Sequence, residues 1–172
     1  MNNVTIYTDG SCLGNPGFGG YAAILTCAGK KKTVVGSEAN TTNNRMELQA
    51  IVSALKALTS PCSVSIHSDS AYVVNSFARL PIWKSAGWRN ANGAVKNKEL
   101  WQELDELISR RGLVVTFGKV EAHSGVELNE RCDQLAKAEA EKLKASCEAR
   151  RRPVAIKSDG ASRSFLVCRE SL

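Results

Sequence analysis

The stretch that most constrains this chain is residues 5–17, where an apolar run ends on an acid and then breaks into glycines. Residues 4–8 read Val-Thr-Ile-Tyr-Thr, which is typical of a strand, and Asp9 follows directly. Residues 10–17 carry three glycines and an Asn-Pro pair, which are turn formers. An acid at the tip of a buried strand is costly unless a cation compensates it, so Asp9 is a candidate ligand. The alternative is that Asp9 and Gly10 simply start a turn.

Length and charge narrow the class of protein. The chain has 172 residues, a net charge of +6 and a pI near 9.1, which favours one domain with a polyanionic partner. No cleavable signal and no apolar run long enough to cross a bilayer is visible, so we expect a cytoplasmic protein without membrane contact. Six cysteines without a close pair argue against a structural zinc site.

The pattern along the chain predicts an α/β fold. Short turns join strands at residues 4–9, 20–27 and 32–37 into an antiparallel meander, and further strands are expected at 63–69 and 113–117. Helices are expected at 45–58, 71–77, 99–111 and from 127 to about 145, the first with Asn43 or Asn44 as N-cap. We therefore predict a five-stranded mixed sheet with helices on both faces.

Three further acids share the setting of Asp9. Asp69 also ends a strand, and a right-handed crossover would bring it beside Asp9. Glu47 lies on the apolar stripe of its helix, although a first-turn glutamate can merely complement the helix dipole. Asp133 lies at the edge of the stripe of the last helix. Four converging carboxylates repel each other unless divalent cations bind, and two Mg²⁺ ions, or Mn²⁺, suit such an oxygen site for phosphodiester cleavage.

Two other features point to nucleic acid and to proton transfer. Residues 81–98 carry four cations, two tryptophans and no acid, a composition typical of surfaces that track a phosphate backbone. The alternative is that Trp83 and Trp88 only anchor a loop. His123 stands in a loop before the helix of Asp133, where a proton-handling group would be useful, but it can equally be a surface histidine.

The motifs together resemble ribonuclease H of the type-one, bacterial kind. The matching segments run in the family's order from residue 4 to about 143: Tyr-Thr-Asp-Gly-Ser-Cys-Leu-Gly-Asn-Pro-Gly at 7–17, Thr-Thr-Asn-Asn-Arg-Met-Glu-Leu at 41–48, Ser-Asp-Ser at 68–70 with Tyr72, Trp-x₄-Trp at 83–88, and Asn-Glu-Arg-Cys-Asp at 129–133. The resemblance implies a ribonuclease H-like fold. It also implies a monomeric endonuclease that cleaves the RNA strand of RNA/DNA hybrids and leaves 3′-hydroxyl and 5′-phosphate ends.

The resemblance also assigns roles to residues. It implies that the metal ligands are Asp9, Glu47, Asp69 and Asp133, and that His123 assists proton transfer or product release. Contacts to the strands of the hybrid are implied for Cys12, Asn15, Asn43 and Asn44, and a grip on a DNA phosphate for Thr42 and Asn97. The segment 81–98 matches the family's basic protrusion, with Trp83, Lys84, Trp88, Arg89 and Lys96 as its substrate contacts.

Some positions depart from the family pattern. Asn40 replaces an arginine that precedes the Thr-Thr-Asn-Asn motif, Ala71 replaces a frequent glutamine, and Glu121-Ala122 replaces a frequent Lys-Gly before His123. The family match ends near Ala145, so we divide the chain into a catalytic domain at 1–145 and a basic tail at 146–172.

Two rival functions stay open at this point. The first is another nuclease of the same fold that acts on DNA, which the Asn-rich positions implied to read 2′-hydroxyls argue against. The second is a non-catalytic module that binds hybrids. Four acids facing a phosphate backbone would weaken binding in such a module unless metal ions neutralised them.

Overall fold

The computed structural model describes residues 2–119 and 126–151. The strands of its main sheet are β1 (Asn2–Gly14), β2 (Gly17–Cys27), β3 (Lys30–Thr41), β4 (Cys62–Ser68) and β7 (Val114–Lys119), and a separate two-stranded ribbon is formed by β5 (Arg89–Asn90) and β6 (Gly93–Ala94). The order of the five strands in the main sheet is β3-β2-β1-β4-β7. The pairs β1–β2 and β2–β3 are antiparallel, whereas β1–β4 and β4–β7 are parallel. The predicted mixed sheet is confirmed.

Helices cover both faces of this sheet. They are α1 (Asn43–Lys56), α2 (Ala71–Phe77), α3 (Leu80–Ser85), α4 (Lys98–Arg111) and α5 (Val126–Arg151). Successive residues of β2 point to opposite faces: Ala23 and Leu25 join the main core with α1 and α4, while Ala22 and Ile24 pack with Cys132 and Ala136 of α5. Within the described ranges no helix is long and apolar enough to span a membrane.

Two glycines allow helices to approach the sheet closely. A Cβ atom on Gly10 of β1 would lie 2.2 Å from the backbone nitrogen of Glu47, and one on Gly20 of β2 would lie 2.2 Å from the carbonyl oxygen of Ala136. Both distances are far below van der Waals contact, so any larger residue would push α1 or α5 away from the sheet. These glycines therefore set the positions of the two helices that carry Glu47 and Asp133.

The ends of α1 are held by side chains. Thr42 is the N-cap, because its hydroxyl accepts a hydrogen bond from the Arg45 N–H at 3.3 Å. The predicted caps, Asn43 and Asn44, are wrong, since both belong to the first turn of the helix. At the other end the guanidinium of Arg111 donates to the carbonyl oxygens of Leu55, Lys56 and Leu58. Arg111 thereby satisfies groups that a helix C-terminus leaves unpaired.

Several element boundaries differ from the prediction. The turn interpretation of Asp9-Gly10 is wrong, because β1 continues through both residues to Gly14 in antiparallel pairing with β2. Helix α5 runs to Arg151, past the expected end near Ala145, so residues 146–151 are helical. The division of the chain at residue 145 stays a prediction. His123 and residues 152–172 lie outside the described residues.

Candidate active site

The site begins where two parallel strands separate. The last paired residues of β1 and β4 are Tyr7 and His67, and Asp9 and Asp69 each follow two residues later. The two acids are therefore level with each other, at the carboxyl end of the parallel pair. Crevices at such strand ends are where open α/β sheets bind ligands. The strand register therefore places Asp9 and Asp69 next to each other, as expected.

Glu47 of α1 completes a group of three carboxylates. One carboxylate oxygen from each of Asp9, Glu47 and Asp69 lies within 4.8 Å of those of the other two. Asp9 and Glu47 are 8% and 5% exposed, whereas Asp69 is exposed. The Gly10 N–H donates to Asp9 at 2.7 Å, and the Asn43 amide lies 3.5 Å from one oxygen of Glu47. The other Glu47 oxygen is buried without a partner among the described residues.

Burial and like charge make these acids hard to ionise together. Burial, followed by the charges of Asp69 and Asp133, raises the pKa of Asp9 to about 7. Burial, followed by the charges of Asp9 and Asp69, raises the pKa of Glu47 to about 9. Both shifts come first from loss of hydration around a buried carboxylate and then from the negative charges nearby. The site is therefore built to receive positive charge.

Asp133 lies near the three carboxylates but is not one of the group that converges within 4.8 Å. It is half-buried on α5, and its carboxylate accepts from Lys137 one turn later, at 2.7 Å. Its charge still reaches Asp9, whose pKa it helps to raise. The prediction overlooked Lys137, although the four-residue spacing of an acid and a lysine on one helix would have indicated the pair.

The residues implied to contact the hybrid lie around the start of α1. The thiol of Cys12 donates to the Thr41 carbonyl oxygen at 3.3 Å, and the Asn43 N–H donates to the Asn15 side chain at 3.4 Å. These contacts tie the β1–β2 hairpin to the helix that carries Glu47. Asn44 is exposed, and Thr42 is engaged as the N-cap. Cys12 and Asn15 therefore meet the chain at the start of α1, where Asn43 also reaches Glu47.

The residues of the basic segment 81–98 differ in their exposure and in their ion pairing. Trp83 is 8% exposed and packs edge-on against Trp101 with a centroid distance of 5.7 Å, so it is a core residue. This burial favours the alternative in which Trp83 anchors the segment, and its contact with substrate stays a prediction. Trp88 is partly buried against the same core. Lys84 pairs with Asp105 at 2.8 Å, whereas Arg89 and Lys96 are exposed.

Comparison with known proteins places this architecture in a family. A family model described as RNase H matches residues 1–141. The chain belongs to the ribonuclease H family. A ribonuclease H from Acetivibrio thermocellus is 51% identical over 145 residues, which span 83% of this chain and 97% of the relative. The ribonuclease H of Cupriavidus pinatubonensis is 48% identical over 138 residues, or 79% of this chain and 94% of the relative.

Solved ribonuclease H structures share the fold. LC9-RNase H1, described as a type 1 RNase H with the type 2 active-site motif, superposes with a TM-score of 0.72 at 31% identity, over 83% of this chain and 74% of its own. The N-terminal RNase H domain of a Mycobacterium tuberculosis protein, at 22% identity, covers 86% of this chain and 99% of its own with a TM-score of 0.63, and shows the fold alone. The predicted family, fold and enzyme class, an endonuclease acting on RNA/DNA hybrids, are confirmed.

Proposed function

We propose that this chain cleaves the RNA strand of RNA/DNA hybrids by two-metal-ion hydrolysis, leaving 3′-hydroxyl and 5′-phosphate ends. The observation that carries the proposal is the convergence of Asp9, Glu47 and Asp69 within 4.8 Å, with two of the three buried. Nothing in the fold requires buried acids there, and their mutual repulsion opposes folding. A role in binding cations accounts for that cost.

The residues present fit divalent metal ions. Glu47 has a buried oxygen without a partner among the described residues, and all three donors are carboxylates, as Mg²⁺ or Mn²⁺ prefers. Asp133, which is close enough to influence Asp9, would be the fourth ligand after releasing Lys137. When bound, a pair of such ions supplies an activated water and stabilises the leaving oxygen.

The surrounding residues would orient the substrate. The β1–β2 hairpin with Cys12 and Asn15 meets the first turn of α1 with Asn43 and Asn44, next to Glu47, so groups here would meet the 2′-hydroxyls that distinguish RNA from DNA. Thr42 and Asn97 would hold a phosphate of the DNA strand, and Lys84, Trp88, Arg89 and Lys96 would follow its backbone. His123 would assist proton transfer or product release. We further propose a cytoplasmic monomer.

Cleavage of a labelled hybrid tests the proposal. The purified protein should cut the RNA strand with Mg²⁺ and not with EDTA, and should leave duplex DNA intact. Asp9→Asn should abolish cleavage while hybrid binding persists, because loss of one ligand removes several kcal/mol of transition-state stabilisation. Glu106→Gln, which removes an exposed acid on α4, is the matched control and should cut normally. Normal turnover by Asp9→Asn, or equal cutting of duplex DNA, would contradict the proposal.

A further inference from the structure

The hydroxyl of Tyr72 connects two elements near the active site. Tyr72 lies in the first turn of α2, three residues after Asp69. Its hydroxyl oxygen lies 3.1 Å from the Asn97 side-chain nitrogen and 3.1 Å from the Trp101 indole nitrogen, and the hydroxyl donates to the Lys96 carbonyl oxygen at 3.4 Å. Asn97 immediately precedes α4. A single hydroxyl thus ties the segment after Asp69 to the start of α4.

The chemistry of these partners fixes which group donates and which accepts in each hydrogen bond of the network. An indole N–H can only donate, so the Tyr72 oxygen accepts from Trp101. The single Tyr72 proton goes to the Lys96 carbonyl, which can only accept. The second lone pair of the Tyr72 oxygen must then accept from Asn97, so the amide presents its nitrogen, and not its oxygen, to the hydroxyl. The orientation of the Asn97 amide is therefore determined by the network.

Asn97 does not behave as an ordinary helix cap. Its φ of 55° is left-handed, and its side chain makes no capping hydrogen bond to α4. An asparagine at a helix start normally accepts from the N–H groups of the first turn. Here the side chain turns to Tyr72, and its second N–H has no partner within residues 2–119 and 126–151. That N–H is a donor held in one direction, which is what a phosphate oxygen requires.

We propose that Tyr72 is a positioning residue, whose hydroxyl directs the Asn97 amide nitrogen toward a phosphate of the bound hybrid. This inference rests on the proposed function, in which Asn97 contacts the DNA strand. Because Tyr72 follows Asp69 so closely, the same hydroxyl also sets the distance between this phosphate contact and the carboxylates. Without it, the amide could rotate and present its oxygen, which repels a phosphate.

The alternative is that the Tyr72 hydroxyl only stabilises the fold. Its removal would leave the Trp101 indole without an acceptor, and a buried unpaired donor is destabilising. Stability alone therefore does not separate the two roles. A positioning role predicts a change in substrate affinity that depends on Asn97, and a purely structural role does not.

A double-mutant cycle on KM separates them. Tyr72→Phe keeps the ring that packs against Trp101, and should raise KM roughly 3- to 10-fold, as expected for one neutral hydrogen bond, with little change in kcat. Asn97→Ala should raise KM at least as much. Adding Tyr72→Phe to Asn97→Ala should then change KM by less than about 2-fold, because the amide that it orients is gone. Tyr21→Phe, on β2, is the matched loss of a hydroxyl and should leave KM unchanged.

Salt provides an independent readout. Neither side chain is charged, so Tyr72→Phe should raise KM equally at low and high salt and leave the log–log slope unaltered. Additive effects in the cycle, an unchanged KM, or a loss confined to kcat would overturn the inference. If Tyr72→Phe does not fold, Asn97→Asp, which keeps the shape but lacks the N–H donors, must raise KM. A wild-type protein that fails to cut hybrid at all would instead defeat the proposed function.

Discussion

At the scale of single residues, the buried carboxylates that suit a metal ion lower the free energy of unfolding of the metal-free protein. Asp9 is nearly inaccessible, and its pKa is raised from 3.8 to about 7. Between these two pH values the unfolded chain has released the proton while the folded chain keeps it. The folded state then binds more protons, so the free energy of unfolding falls as pH rises through this window. The metal-free protein should therefore lose this contribution to its stability as the pH rises to about 7 and above.

Removal of the Asp9 charge tests whether ionisation of Asp9 destabilises the metal-free protein. In EDTA at pH 8, Asp9→Asn should raise the free energy of unfolding by roughly 1–3 kcal/mol, because it removes a buried charge and relieves its repulsion from Asp69 and Asp133. Below about pH 4 the advantage should vanish, since the wild-type carboxyl is then neutral in both the folded and the unfolded chain. Urea unfolding at both pH values measures the difference. A variant that is equally or less stable at pH 8 would show that ionised Asp9 does not destabilise the folded, metal-free chain.

At the scale of elements, packing between β2 and α5 sets the place of Asp133. Gly20 meets the backbone of α5 at Ala136 and Ala140, one to two turns beyond Asp133. The Cys132 thiol donates to the Tyr7 carbonyl oxygen at 3.3 Å and fixes the helix on the other side of Asp133. Asp133 is thus held between two points of close contact with the sheet.

A methyl group at Gly20 should displace this helix. Gly20→Ala would place its Cβ 2.2 Å from the Ala136 oxygen, so α5 must shift, at a cost of about 1–3 kcal/mol in the free energy of unfolding. The shift should lower kcat by roughly 10- to 100-fold, because Asp133 moves relative to the other carboxylates. Ser37→Ala, at the exposed β3 position paired with Gly20, is the control and should change neither quantity. Wild-type kcat and stability in Gly20→Ala would refute this account of the contact.

The elements also show what sequence patterns can and cannot predict. Helix α2 matches its predicted bounds, and the inward face of α1 is buried as expected, because apolar periodicity is a local signal. The sequence pattern does not indicate that β1 continues past Asp9, since glycines that pair with β2 look like turn residues in isolation. The length of α5 was recoverable, because the first helix breaker after Gly125 is Pro153. The Lys84–Asp105 pair joins separate elements, so no local pattern indicates it.

At the scale of the whole molecule, net charge is a poor guide to where a hybrid binds. The segment 81–98 has four cations in sequence, but Lys84 is neutralised by Asp105 of α4. Arg89 and Lys96 are exposed and make no ion pair within the described part of the chain. Residues 152–172 add four basic and two acidic side chains. We still expect the segment 81–98 to contribute more affinity, since its cations are attached to a packed core.

The salt dependence of KM measures these contributions. Neutralising Arg89 and Lys96 together should raise KM and lower its log–log salt slope by up to about two units, with kcat nearly unchanged, because each lost phosphate contact releases about one counterion less. Lys84→Gln should lower the slope less than either single neutralisation, since Asp105 already balances the charge of Lys84. Truncation after Arg151, which keeps all of α5, should also change KM less. If truncation raised KM more than the double neutralisation, the C-terminal residues would be the stronger binding element.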